Sequence, residues 1–155
     1  MRKARLRPQA DLADDPSYFG YWSREEVLNF LKQLLESERI GANAYAAVGR
    51  AADSQVADLA FESELAQGAI CILLKKEIAA RGGADILRRK TATAIPNGDC
   101  SLRRTIGLAS RNQARLADMI EEAVINIFDS KLNAKLMYLL LLHRKQVEQL
   151  ETFVT

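Results

Sequence analysis

The stretch SREEVLNFLKQLLESERIGANAYAAVGR, residues 23–50, decides the fold. Val27, Leu31, Leu34, Glu38, Gly41, Tyr45 and Val48 form one row whose steps alternate 4, 3, 4, 3, 4, 3. That spacing keeps a single helix face turned toward neighbouring helices, as in a four-helix bundle. Ser23 to Glu26 reads as a capping box, with Trp22 and Val27 placed as a hydrophobic staple around it, so the helix starts sharply. Glu38 is the intruder in the row, whereas Glu36 falls on the solvated side. A carboxylate facing a core needs a metal ion or hydrogen-bonding partners. Gly41, one turn later, makes room for either.

Outward from this helix the chain reads as three more. A second spans about Ser54 to Arg81, follows a short link with Asp53 or Ser54 as N-cap, and stops at Gly82-Gly83. Its apolar stripe is broad (Val56, Leu59, Ile70, Leu73, Leu74), with Glu64, Gln67, Cys71, Leu74 and Ile78 as a parallel row on one flank. Gly83 to Asp99 has no helical stripe and contains Pro96-Asn97-Gly98. Its seventeen residues reach about 56 Å when extended, against about 40 Å for a helix of about 27 residues. The chain can therefore return along the whole bundle, giving one long crossover between helices 2 and 3. A third helix occupies about Ser101 to Phe128, with the seam Leu102, Ile106, Ala109, Gln113, Leu116, Ile120, Ala123, Ile127. A fourth runs from about Lys131 to Phe153, with Leu132, Leu136, Leu139, His143, Gln146, Leu150 and Phe153 inward.

Composition agrees with a single all-α domain: 155 residues, 48% hydrophobic, 27% charged, three prolines and eight glycines. Residues 1–22 read as an N-terminal arm ending in the aromatic cluster Tyr18, Phe19, Tyr21, Trp22, and residues 23–155 as the bundle. A net charge of +2 demands no nucleic-acid partner. Arg2, Lys3, Arg5 and Arg7, and again Arg88, Arg89 and Lys90, read as solvated clusters. Binding of nucleic acid through Arg88, Arg89, Lys90, Arg103 and Arg104 is the weakest reading. Cys71 and Cys100 have neither disulfide-framework nor metal-ligand spacing. No signal-peptide core follows the basic start, and no window reaches the length of a membrane span, so a cytoplasmic protein is expected. Leu136 to Leu142 is apolar all round; the arm or a second subunit covers it, and a homodimer is the preferred reading.

The polar intruders share one height: Glu38, Gln67, Gln113 and His143, with Glu64 beside Gln67. Four helices each placing a polar group inward implies an interior layer, because each such group left unpaired costs about 1–3 kcal/mol. There is no Gly-rich phosphate loop, no nucleophile–base pair and no CxxC, and a single histidine argues against triad hydrolysis.

At these residues the chain resembles the ferritin-like, rubrerythrin-type superfamily, whose metal-binding members carry Glu, Glu-x-x-His, Glu and Glu-x-x-His on successive helices. LLESERIGA (34–42), SRNQARLADMIEEAV (110–124) and LLLHRKQVEQLE (140–151) look most like a bacterial ferritin-like domain family of unassigned function. The resemblance implies a metal role for Glu38, Glu64 and His143, with Gln113 or Glu121 in the helix 3 place. Gln67 stands where a histidine would, and Leu140 where a carboxylate would. Two expectations follow. One is a structural or interaction module with a degenerate di-iron site and no cofactor. The other is a protein binding a single divalent metal (iron, manganese or zinc) on Glu38, Glu64 and His143, with Glu121 a possible further ligand and oxidoreductase-type chemistry.

Overall fold

The computed structural model describes residues 19–83 and 101–153. It is all-helical there: α1 (Arg24–Ala51), α2 (Ser54–Ala80), α3 (Leu102–Val124) and α4 (Ser130–Glu151). The arm's residues 1–18, the Pro96-Asn97-Gly98 segment, Cys100 and the basic run Arg88, Arg89, Lys90 lie outside the described residues. Among the described residues no helix is long and apolar enough to cross a membrane.

Both halves of the capping box form at the start of α1. Ser23 Oγ accepts from the Glu26 amide at 3.1 Å, and Glu26 Oε1 accepts from the Ser23 amide at 2.8 Å. Trp22 packs on the core, its ring centroid 5.5 Å from that of Phe30, and Tyr21 stacks obliquely on Phe128 at 5.2 Å. All seven seam positions of α1 are buried.

α3 ends at Val124, four residues before Phe128. Side-chain amides take over the carbonyls there. Asn126 Nδ2 donates to Glu122 O at 2.9 Å, and Asn133 Nδ2 donates to Val124 O at 2.9 Å and Ile127 O at 2.8 Å. Asp129 then caps α4 by accepting from the amides of Lys131 and Leu132.

The helix directions follow from which ends meet. The Trp22 amide, before α1, donates to Asn126 O, after α3, at 2.7 Å. Gly83, after α2, abuts Leu28 in the second turn of α1. At the opposite end Ala44, Tyr45, Val48, Val56, Ile106 and Leu150 share a cluster against which Leu102 packs. α1 is thus antiparallel to α2 and α3, and α2 and α3 run the same way. The larger cluster, around Leu31, Leu34, Leu74, Ile120 and Leu136, fills the other half.

α2 and α4 are held at one end by a charged hub. Arg81 donates to Glu77 Oε1 at 2.6 Å and to Asp129 Oδ2 at 3.0 Å, and Lys135 donates to Glu77 Oε2. Burial opposes ionisation of Glu77, but the bonds and charges of Lys135 and Arg81 outweigh it and hold the carboxyl below its usual range. Asp129 is likewise opposed by burial, and held low by the Leu132 and Lys131 amides and by Arg81. Both folded-state pKa values are depressed, so this stabilisation is present above the ordinary carboxylate range and is lost as pH falls through the folded values. With Lys135 about half exposed, Glu77→Gln should cost about 1 kcal/mol near pH 7. In thermal unfolding the deficit should shrink as pH falls below the ordinary carboxylate range, and a deficit independent of pH would exclude the ionic origin.

Beyond the hub, an apolar groove of about 440 Å³ separates α2 from α4, lined by Ala66, Ala69, Leu73, Tyr138 and Leu142 among others. Within the apolar run of α4, Leu136, Leu139 and Leu140 are buried, while Met137, Tyr138 and Leu141 face outward. Phe153, an expected seam residue, is exposed beyond the helix end.

Candidate functional site

Glu38, Gln67, Gln113 and His143 are each 0% exposed. One residue comes from each helix, and Glu38 is the centre. Its Oε1 accepts from Gln67 Nε2 at 2.7 Å, and its Oε2 stands 2.7 Å from His143 Nε2. Gln67 Nε2 also reaches the Glu38 carbonyl, at 3.3 Å. A carboxylate only accepts, so Nε2 of His143 carries the hydrogen toward it. The other ring nitrogen, Nδ1, lies 2.8 Å from Gln146 Oε1. Gln146 itself is 3% exposed, so both ring nitrogens face buried side chains; a neutral ring that donates to Glu38 accepts at Nδ1, which calls for the amide nitrogen of Gln146 there.

A second, unpaired part of the layer adjoins the first. Gln67 Oε1, Asn112 Nδ2 and both amide atoms of Gln113 have no hydrogen-bond partner among the described residues. They crowd above Gly41. A Cβ there would meet Gln67 Nε2 at 2.6 Å, Asn112 Nδ2 at 3.0 Å and Gln113 Nε2 at 3.1 Å. Any side chain on residue 41 would displace the amides, so glycine is what lets them approach α1. The orphans are two donor nitrogens and two acceptor oxygens.

The layer acts on its neighbours. Burial, and after it the Glu38 charge, raises the Tyr45 phenol well above its usual range, although a hydrogen bond with Ser63 opposes the rise. Burial and then the Glu38 charge push the Cys71 thiol up to about 11. Cys71 is therefore a thiol, not a thiolate, near neutral pH and a poor nucleophile or metal ligand.

The remaining candidates are placed elsewhere. Glu64 is only half-buried: of its row, Gln67, Leu74 and Ile78 are buried, while Glu64 and Cys71 each stand one position past a buried residue, Ser63 and Ile70. The buried row of α2 is Val56, Ala60, Ser63, Gln67, Ile70, Leu74 and Ile78. Glu121 lies on the surface, its side chain 64% exposed, and accepts from Arg144 Nη2 at 2.8 Å. Leu140 is part of the apolar core. Among the described residues, no group of three or more His, Cys, Asp and Glu side chains is placed to hold a metal ion. The row pattern leaves out Ser63 and Asn112, and it holds Gln146 in the α4 seam without joining it to His143. Its i+3 spacing from His143 is the signal that points to it.

These features define an all-α protein of four helices with a buried Glu–His–Gln layer. The chain belongs to the family described as a domain of unknown function, DUF6306, whose model matches residues 25–152. No curated protein and no solved structure matches it.

Proposed function

We propose that this chain is a ferritin-like bundle, with one long crossover between α2 and α3, that serves as a structural or interaction module. A hydrogen-bonded layer takes the place of the di-iron centre. The helix directions support the architecture: α2 ends beside Leu28, whereas α3 begins beside the cluster at the opposite end. Gly83 and Ser101 thus belong to opposite ends of the bundle, as a crossover requires.

The observation that carries the functional reading is that both oxygens of Glu38 are engaged at 2.7 Å by protein groups. A metal on this carboxylate would compete with Gln67 and His143 for the same two oxygens, and Gln67 and Gln113 offer amides where a two-metal site needs an imidazole and a carboxylate. The donor set does not fit a di-iron centre. It fits a layer in which Gln67 and His143 satisfy Glu38 and so join α1, α2 and α4, with Gln113 of α3 buried beside them.

The test is metal content. Untagged protein purified without chelator, then loaded anaerobically with iron(II) or with manganese or zinc, should hold far less than one metal per chain by mass spectrometry. The trace should be the same in His143→Ala. Stoichiometric metal that disappears in His143→Ala would overturn the module reading in favour of a single-metal protein.

A further inference from the structure

The outer face of α2 points to a partner, and its charge pattern says which. Phe61, Leu65, Gly68 and Ile72 are spaced 4, 3 and 4, which at about 100° per residue makes one narrow stripe. That stripe lies on the side of α2 away from its buried row. Phe61, Leu65 and Ile72 are 62%, 59% and 59% exposed, and a Cβ on Gly68 would meet nothing within 4 Å. A helix apolar on its outer as well as its inner face is expected to be covered.

The charges around the stripe have opposite sign on either side of Gly68. Toward the start of α2 stand Asp58 and Glu62 on one flank and Glu64 on the other. Toward its end stand Lys76 on the first flank and Lys75 on the second. None of the five has an ion-pair partner among the described residues. Such a helix is complementary to itself turned end for end. A two-fold axis at Gly68 puts each acidic flank against the same flank of a mate, where the lysine stands. An isologous contact has this form: residue i meets j, and j meets i. The unsubstituted Gly68 at the midpoint lets the two backbones approach.

We infer that two copies of this chain pair through antiparallel α2 helices crossing at Gly68. Phe61, Leu65 and Ile72 are buried between them, Asp58 and Glu62 face the mate's Lys76, and Glu64 faces the mate's Lys75. The inference goes beyond the module reading and does not depend on what the interior layer binds. An unpartnered protein of this surface would be prone to nonspecific association, whereas the self-complementary charges select one geometry.

The test uses the full chain in sedimentation velocity at micromolar concentration, with circular dichroism to follow helix content. Wild type should sediment as a dimer. Leu65→Glu should raise the dimer dissociation constant at least tenfold with helix content unchanged. Two charge-reversed chains give the more specific result. Asp58→Lys/Glu62→Lys/Glu64→Lys alone, and Lys75→Glu/Lys76→Glu alone, should each be monomeric, while an equimolar mixture of the two should recover the dimer. A monomeric wild type, or charge-reversed chains that dimerise alone as well as wild type does, overturns the inference. So does a dimer abolished by Tyr138→Glu/Leu141→Glu but indifferent to Leu65→Glu, since that places the contact on α4.

Discussion

Glu38→Leu and His143→Leu should each lower the unfolding free energy by about 3–5 kcal/mol, and the double variant should lose less than the sum. Each single change strands the other member of a fully buried pair. Without His143, Glu38 Oε2 loses the group 2.7 Å away and keeps only the amide of Gln67 on its other oxygen. Without Glu38, the imidazole keeps only Gln146, and Gln67 keeps only a carbonyl at residue 38. Removing both partners removes the stranded charge and replaces it with apolar volume. What then remains unpaired is one amide group of Gln146 and part of Gln67, at about 1–3 kcal/mol each. Urea unfolding of the four chains near pH 7 closes the cycle. The two losses should overlap by about 2 kcal/mol or more. Strict additivity would mean that Glu38 and His143 do not act as a pair, and the central contact of the layer would have to be abandoned.

How much of this could be read beforehand depended on how sharply each helix separates its faces. In α1 the contrast is strong: every residue of the 4, 3 row is buried, and Glu38 stood out because its neighbours in the row were apolar. α2 has no such contrast. With Phe61, Leu65 and Ile72 outside and Ile70, Leu74 and Ile78 inside, periodicity cannot choose between a row through Ser63 and one through Glu64. The half-buried carboxylate was therefore placed one position too far inward. Glu121 illustrates a different limit. It sits on the flank of the α3 seam and lies on the surface, where the guanidinium of Arg144 on the neighbouring helix meets it. The end of α3 was unreadable for a similar reason, since the apolar row continues to Ile127. What stops the helix is a pair of asparagine side chains, one of them from α4, capturing its last carbonyls. Local pattern predicts burial well. It does not predict which distant polar group will claim a backbone atom.

Gly41→Ala should destabilise by up to about 2 kcal/mol, although alanine is the better helix former. The expected sign comes from two opposed effects. In a helix interior, alanine over glycine gains about 1 kcal/mol. Against that, the new methyl lands 2.6 Å from Gln67 Nε2 and about as close as van der Waals contact forbids to Asn112 and Gln113. The Asn112 and Gln113 nitrogens are unpartnered and can give way. Gln67 cannot do so freely, because its amide is held by the Glu38 carboxylate and carbonyl. Overpacking that breaks this contact costs about 1–3 kcal/mol and more than cancels the helix gain. Gly49 of the same helix is the control: a Cβ there meets only Ala60 Cβ at 3.7 Å, an ordinary contact. Gly49→Ala should accordingly stabilise, by up to about 1 kcal/mol. The decisive comparison is Gly41→Ala in a Gln67→Ala background, where the obstructing amide is gone. There the sign should reverse to stabilising. If Gly41→Ala destabilises equally in both backgrounds, the glycine is required by something other than the amide that binds Glu38.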